Sequence, residues 1–267
     1  MKRSGIITIT TDFGHKGPFT AVMKGVIYSR FPEARVIDLA HDIAAQWPPE
    51  AGFWVSRAYC YFPPGSVHLA IVDPGVGMER DILIIDYDNH YFVAPDNGLL
   101  ARMLDRAEGA QVFRLNMACL KPLGIDKPSM NFHGRDIFAP IAAELAAGRT
   151  TPVAIGTATT EWTPAWLDEP DISAGKVSGV VITFDNFGNL ISNIDADLLQ
   201  DFKQPVVHIA GHEIAVLDTY GQAKPGDYLA LINSFGVLEI ARAEGNAAES
   251  LGAERGAPVV VTEGITT

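Results

Sequence analysis

Three segments place charged or polar side chains where an apolar run has just ended: Thr10–Gly14 (TTDFG), Val72–Arg80 (VDPGVGMER) and Asn131–Pro140 (NFHGRDIFAP). Between them they supply Asp12, Asp73, Arg80 and His133. A carboxylate, a guanidinium and an imidazole in one water-accessible site can orient a water molecule, take up its proton and stabilise developing negative charge. The patterns of other chemistries are missing. The Gly-x-Gly of residues 75–77 is not a dinucleotide fingerprint, because Arg80 stands where the third glycine belongs. No Walker loop, HExxH or GxSxG occurs, so an activated serine is not indicated. A metal held by Asp12, His15, Asp73 and His133 is an alternative that the cation Arg80 opposes.

These side chains need a scaffold that brings distant loops together. Apolar runs alternate with helical patterns up to about residue 160. Strands are expected at Ile6–Thr10, Arg35–Leu39, Val67–Val72 and Gln111–Leu115. Ile82–Asp86 and Tyr91–Ala94 read as a hairpin turning at Asp88-Asn89. Helices are expected at Pro18–Phe31, Pro48–Tyr61, Gly98–Arg106 and Ile137–Ala147, the last ended by Gly148. Alternation of this kind means an α/β layer sandwich, whose ligands bind beyond the carboxyl ends of the strands. Asp12, Asp38 and Asp73 each lie at or just past such an end. Asp38 reads more simply as a cap of the following turn. Gly134 opens the backbone beside His133, at what reads as a helix N-terminus.

Past a proline-rich, acidic stretch the pattern changes to short strands: Val177–Thr183, Leu190–Asn193, Val206–Ile209, Glu213–Leu217, Tyr228–Ile232, Val237–Ala241 and Val259–Thr262. These predict a small β-barrel. The expected organisation is an N-terminal α/β domain at 1–165, a linker at 166–175 and a C-terminal β-barrel domain at 176–267. Asp185-Asn186-Phe187-Gly188-Asn189 offers amide, carboxylate and aromatic groups suited to a purine edge, or simply a turn between strands. Asn233-Ser234-Phe235-Gly236 is a similar polar loop, with Arg242 one strand later.

Composition narrows the function classes. The chain has 267 residues, 48% of them hydrophobic and 19% charged, which reads as ordinary globular protein. A formal net charge of -12, with no Lys/Arg cluster, argues against nucleic-acid or anionic-membrane partners. No run approaches eighteen apolar residues, and Asp12 arrives too early for a signal peptide's apolar region. Cys60 and Cys119 sit among apolar neighbours and are expected to be buried free thiols, as in a reducing cytoplasm.

In order, the segments TTDFG, MKGVI at Met23–Ile27, VDPGVG…R at 72–80, APDNGLL at 94–100, FHGRDIFAP at 132–140, FGN at 187–189 and NS…G…EIA at 233–241 resemble the S-adenosyl-L-methionine hydrolases, relatives of the fluorinating and chlorinating enzymes. The resemblance covers nearly the whole chain. It implies hydrolysis of S-adenosyl-L-methionine to adenosine and L-methionine with no metal or other cofactor, and a homotrimer binding substrate between subunits. It assigns Asp73, Arg80 and His133 to the hydrolase branch's catalytic trio; halogenating relatives lose that trio. It further implies that Asp12 holds the ribose hydroxyls and that Trp47 and Phe132 line the apolar wall, with Gly134 beside them. Phe187 and Asn189 would meet adenine near Arg242, while Asp185, Ser234 and Phe235 lie toward methionine. Many relatives carry an acidic residue where this chain has Gly17. Rival readings are a metal-dependent nucleoside or phosphoester hydrolase and a non-catalytic adenosine- or S-adenosylmethionine-binding protein.

Overall fold

A strand without an exposed position must be covered on both faces, and Ile6–Thr11 (β1) is buried throughout. Its sheet is built accordingly. The computed structural model describes residues 2–173 and 175–264. The chain divides into two units, Met1–Leu167 and Asp168–Thr267. In the first, the remaining strands are β2 (Arg35–Ala40), β3 (Val67–Ile71), β4 (Ile82–Tyr87), β5 (His90–Pro95), β6 (Gln111–Leu115) and β7 (Gly156–Thr159). Among the described residues they form one seven-stranded sheet in the order β2-β1-β3-β5-β4-β6-β7. The first four in that order run parallel, and the rest are antiparallel.

Helices α1 (Phe19–Arg30), α2 (Pro48–Ala58), α3 (Ala101–Arg106) and α4 (Ala139–Ala146) cover the sheet. Met23 and Ile27 of α1 pack with Ile141 and Leu145 of α4 against Ile7, Ile9 and Leu69. Val55 of α2 and Met103 and Leu104 of α3 pack on the other face against Ala70, Ile85 and Phe92. This is the α/β layer sandwich expected, and the structure builds it in three layers. The parallel strands bring Thr11, Ala40, Ile71 and Pro95 to one edge, where their following loops gather. The Asp88-Asn89 turn has φ of 49° and 61°, the left-handed pair that a tight type I′ hairpin requires.

In the second unit the strands are β8 (Asp171–Ser173), β9 (Lys176–Phe184), β10 (Leu190–Asp195), β11 (Pro205–Ile209), β12 (His212–Ala215), β13 (Tyr228–Ile232), β14 (Val237–Arg242) and β15 (Pro258–Glu263). They order as β12-β11-β15-β9-β10-β14-β13, with β8 added to β9. Just past β12, Val216 bridges Ala230 of β13 in parallel, and the Leu217 N–H donates to the Ala230 carbonyl at 2.8 Å. The sheet thereby nearly closes into a barrel around Val181, Ile194, Val207, Leu238 and Val261.

Three differences from the sequence reading have local causes. The stretch read as a linker carries β8, which three residues suffice to hold on β9. β7 and a short helix, α5 (Pro152–Ile155), were not expected, because neither is long enough to show a periodicity. Cys60 is exposed and Cys119 half-buried, although both are free. Cys60 lies on a single 3₁₀ turn at Tyr59–Tyr61, so its apolar neighbours in sequence are not packed around it.

At the amino end of the parallel strands the surroundings of two histidines, His68 and His90, oppose their protonation. Thr8 Oγ1 lies 2.9 Å from His68 Nδ1, and His68 Nε2 lies 3.0 Å from His90 Nδ1. Two imidazole nitrogens facing each other can share only one proton, and His68 is also stacked on Phe92. Burial, and then the neighbouring His90, push the His68 pKa down to about 3. The unfolded chain therefore binds a proton here near pH 6.5 that the folded chain refuses. The stability is complete above that pH and is lost as pH falls from 6.5 toward 3. In urea unfolding, this residue is expected to remove roughly 2 kcal/mol between pH 7 and pH 5. His68→Leu is expected to flatten that slope.

Candidate active site

The loop after β3 folds back on itself. Asp73 Oδ1 accepts from the Gly75 N–H at 3.2 Å, and the Asp73 carbonyl accepts from Val76 at 3.3 Å. Gly77, at φ 82°, brings this loop against the next one. A Cβ there would lie 2.9 Å from the Met130 carbonyl, so only glycine fits both the angle and the space. The fold-back returns Arg80 to Asp73. Arg80 Nε and Nη2 donate to Asp73 Oδ2 at 2.9 and 2.5 Å, and Nη2 lies 3.2 Å from His133 Nδ1. The Arg80 and Asp73 side chains are 11% and 5% exposed, so this ion pair is shielded from solvent. The guanidinium also lies over the Phe138 ring, 5.4 Å from its centroid.

His133 stands just before a π-helical turn, Gly134–Phe138, that leads into α4. Such single-turn π segments are frequent at functional sites. The preceding loop is pinned by Asp136, whose Oδ2 accepts from the Ser129 N–H at 2.8 Å, while Ser129 Oγ accepts from Phe132 at 3.1 Å. Arg135 grips the same carboxylate and holds its pKa far below the usual range. Burial and then the Arg80 charge lower the His133 pKa. A neutral ring whose Nδ1 accepts from Arg80 carries its proton on Nε2, where it can donate.

Asp12 leaves β1 beside the same edge, since Thr11 pairs with Ile71. Its Oδ2 accepts from the Gln46 N–H at 2.9 Å. Trp47 follows, its ring edge-on to Trp166 at 6.1 Å. Phe13, Phe19 and Phe132 form an edge-to-face cluster with centroids 5.5 to 6.1 Å apart. Gly134 sits against it: a Cβ would meet Met23 Sδ at 3.2 Å and Phe132 at 3.3 Å. Of this cluster the sequence marks only Phe132 as a site residue, and Phe19 as an apolar position of its helix. Phe19 also covers Gly17, where a Cβ would come within 2.8 Å of the ring. Asn97, within the APDNGLL segment, ties β5 to the loop after β3 by donating to the Val72 carbonyl at 2.8 Å.

In the second unit Asp185 organises its turn. Its Oδ1 accepts from the Phe187 and Asn189 N–H groups at 2.9 Å each, and its Oδ2 from Asn189 Nδ2 at 2.9 Å. Phe187 is left 76% exposed. Arg242 is braced, with Nε donating to the Gly226 carbonyl at 3.1 Å and Nη1 to Ser250 Oγ at 2.7 Å. The register separates the remaining residues. Leu190, just past the Asp185 turn, faces Ile240, whereas Ser234 and Phe235 precede Val237 at the other end of β14. Three strand steps, about 10 Å, lie between. Glu239, buried on that strand, takes hydrogen bonds from Tyr220 Oη and Asn233 Nδ2. Among the described residues, no three of His, Cys, Asp and Glu converge as metal ligands would.

The chain matches the family model of the SAM hydroxide adenosyltransferase N-terminal domain over residues 7–156, and that of its C-terminal domain over residues 179–260. A curated (R)-S-adenosyl-L-methionine hydrolase of Thermus thermophilus is 37% identical, over 93% of this chain and 96% of that one. A fluorinase of Actinopolyspora mzabensis is more distant, at 24% over 96% and 97%. The crystal structure of an uncharacterized conserved protein from Thermotoga maritima superposes with a TM-score of 0.86 at 32% identity, covering 96% of this chain and all of that one.

The lowered His133 pKa has a checkable origin. By NMR titration His133 is expected to protonate at a pH below the ordinary 6.5. In Arg80→Gln the midpoint is expected to rise, because the repelling cation is gone while Asp73 remains to attract the proton. An unchanged or lower midpoint would show that Arg80 does not act on this ring.

Proposed function

The chain belongs to the SAM hydroxide adenosyltransferase family, and on that premise we propose that it hydrolyses S-adenosyl-L-methionine to adenosine and L-methionine. The observation that carries this reading is Arg80 joined at once to Asp73 and His133. Water oxygen attacks C5′, the C5′–S bond breaks, and its electron pair neutralises the sulfonium as methionine departs. Sulfonium is already a good leaving group, so the work lies in presenting water in line and taking its proton. His133, neutral and donating from Nε2, and Arg80 hold the water oxygen as negative charge develops there. Asp73 Oδ1, which spends one acceptor position on Gly75, takes the proton. No step in this scheme uses a metal ion.

The site residues carry over from the family resemblance, each within its own unit. Asp12 would hold the ribose hydroxyls, with Trp47, Phe132 and the glycine at 134 forming the wall around ribose and sulfonium. Phe187 would stack on adenine while Asn189 reads its edge. Asp185, Ser234 and Phe235 would serve the methionine end, and Arg242 would stiffen the adenine side. The relative from Thermus is named for the (R) sulfonium form, and that epimer is assigned as the substrate here too. A cytoplasmic location and a homotrimer belong to the same reading.

Incubation with the separate sulfonium epimers in ¹⁸O-water and chelator, followed by mass spectrometry, tests the chemistry. The (R) form is expected to be consumed faster, with label in the adenosine 5′-hydroxyl. Unlabelled adenosine, or no turnover until metal is restored, would overturn it. Asp73→Ala, Arg80→Ala and His133→Ala are each expected to lower kcat by roughly 10²–10⁴, with smaller changes in KM. Sedimentation velocity checks the assembly: a trimer is expected, and an active monomer would refute it.

A further inference from the structure

Asp12 has one carboxylate oxygen held and the other open. Its Oδ2 is occupied by the Gln46 amide, whose residue sits at φ 60°, an uncommon angle for a side-chain-bearing residue. Among the described residues its Oδ1 has no protein partner. The next two amides are held as well: Phe13 N–H donates to Thr11 Oγ1 at 3.3 Å and Gly14 N–H to the His41 carbonyl at 2.8 Å. Both holders lead to His41, a ring only 2% exposed.

His41 lies inside a chain of hydrogen bonds whose direction can be worked out. Lys24 Nζ donates to Asp38 Oδ2 at 2.6 Å, and Asp38 Oδ1 lies 2.8 Å from His41 Nε2. Burial alone would raise the Asp38 pKa, but the hydrogen bonds from Lys24 and His41 outweigh it and keep Asp38 ionised. A carboxylate can only accept, so a His41 proton is on Nε2, and in the neutral ring Nδ1 is an acceptor. Thr11 Oγ1, 2.9 Å from Nδ1, must then donate to it. That leaves a hydroxyl lone pair for the Phe13 amide. Charge at Lys24 thus fixes an amide flanking Asp12, through three side chains of types that would otherwise rotate or change tautomer.

We propose that Thr11, His41 and Asp38 are positioning residues that aim the free oxygen of Asp12 at the vicinal hydroxyls of a ribose. This rests on the reading that Asp12 holds those hydroxyls. The chain itself touches no substrate. Its effect is selectivity: a carboxylate fixed in one orientation rewards two hydroxyls, whereas one free to turn finds water as readily.

Equilibrium dialysis with adenosine and 2′,3′-dideoxyadenosine tests this without depending on turnover. The unsubstituted protein is expected to prefer adenosine by about 10- to 100-fold, the range for hydrogen bonds to a charged group, and Thr11→Val to bring that ratio to within about threefold. Thr11→Ser, which keeps the hydroxyl, is expected to restore it. Asp38→Asn, which can present its amide N–H to His41 and reverse the tautomer, is expected to behave like Thr11→Val. Thermal melts accompany each variant, because lost stability with an unchanged adenosine preference would mean a merely structural role and would overturn the proposal. Preference retained in Thr11→Val and Asp38→Asn but lost in Asp12→Ala would likewise refute the chain while leaving Asp12's role intact. An unsubstituted protein that does not distinguish the two nucleosides would remove that role and the proposal together.

Discussion

One guanidinium decides whether this site exists. Arg80 is nearly buried, as is the carboxylate it grips, and a buried ion is tolerated only when its partner and its hydrogen bonds are in place. Asp73 satisfies Nε and Nη2, and the Phe138 face takes one side of the planar group. Removing either partner would leave the other charge stranded, which is far costlier than losing a surface pair. The surrounding backbone is shaped to this demand. Gly77 lets the Asp73–Arg80 loop touch the Met130 carbonyl, and Asp136 pins the loop that carries Phe132 to His133. Asn97 fastens the end of β3 from the neighbouring strand.

The sheet supplies the second constraint. Thr11 opposite Ile71 is a register pairing, and it puts residues some sixty positions apart in sequence side by side. A slip of one residue would turn Thr11 to the opposite face and take Asp12 with it. That register is secured by burial on both faces of β1 and β3, so the hydrophobic core is what sets the positions of the polar groups at its edge.

What could be read from the chain follows from which signals are local. β-branched runs and helical spacing marked nearly all the strands and helices of the first unit, and the change of pattern marked the barrel. Asp12 and Asp73 were visible because each follows a recognisable strand, His133 because it stands just ahead of a helix, and Arg80 because it broke a glycine pattern. The π-helical turn was not visible, since one widened turn leaves the apolar spacing of Ile137, Phe138 and Ile141 unchanged. Nor was the use of His41. Its partners are Asp38, three residues away across a strand end, and Thr11, thirty residues away through the β1–β2 pairing. Asp38 read as a cap because its true partners, Lys24 and His41, come from two different elements. The buried pair His68 and His90 was likewise hidden, since each stands alone in its own strand. In the barrel, Asp185 and Ser234 each sit in a plain turn. Only the β10–β14 register shows that about a 10 Å length of strand lies between those turns.

Charge balance links these parts to the proposed reaction. The substrate would arrive carrying a positive sulfonium, and an unpaired arginine at the site would repel it. Asp73 cancels that charge, so the pair is neutral at long range while its N–H groups remain strongly polarised at short range. His133 is kept neutral as well, burial and Arg80 both opposing its protonation. The site thus offers donors to a water oxygen without adding net positive charge beside the sulfonium. As the C5′–S bond breaks, the substrate's charge disappears and an equal charge reappears as the water's proton. Little basicity is demanded until bond breaking is advanced, so geometry, rather than a strong base, has to bring the oxygen to C5′.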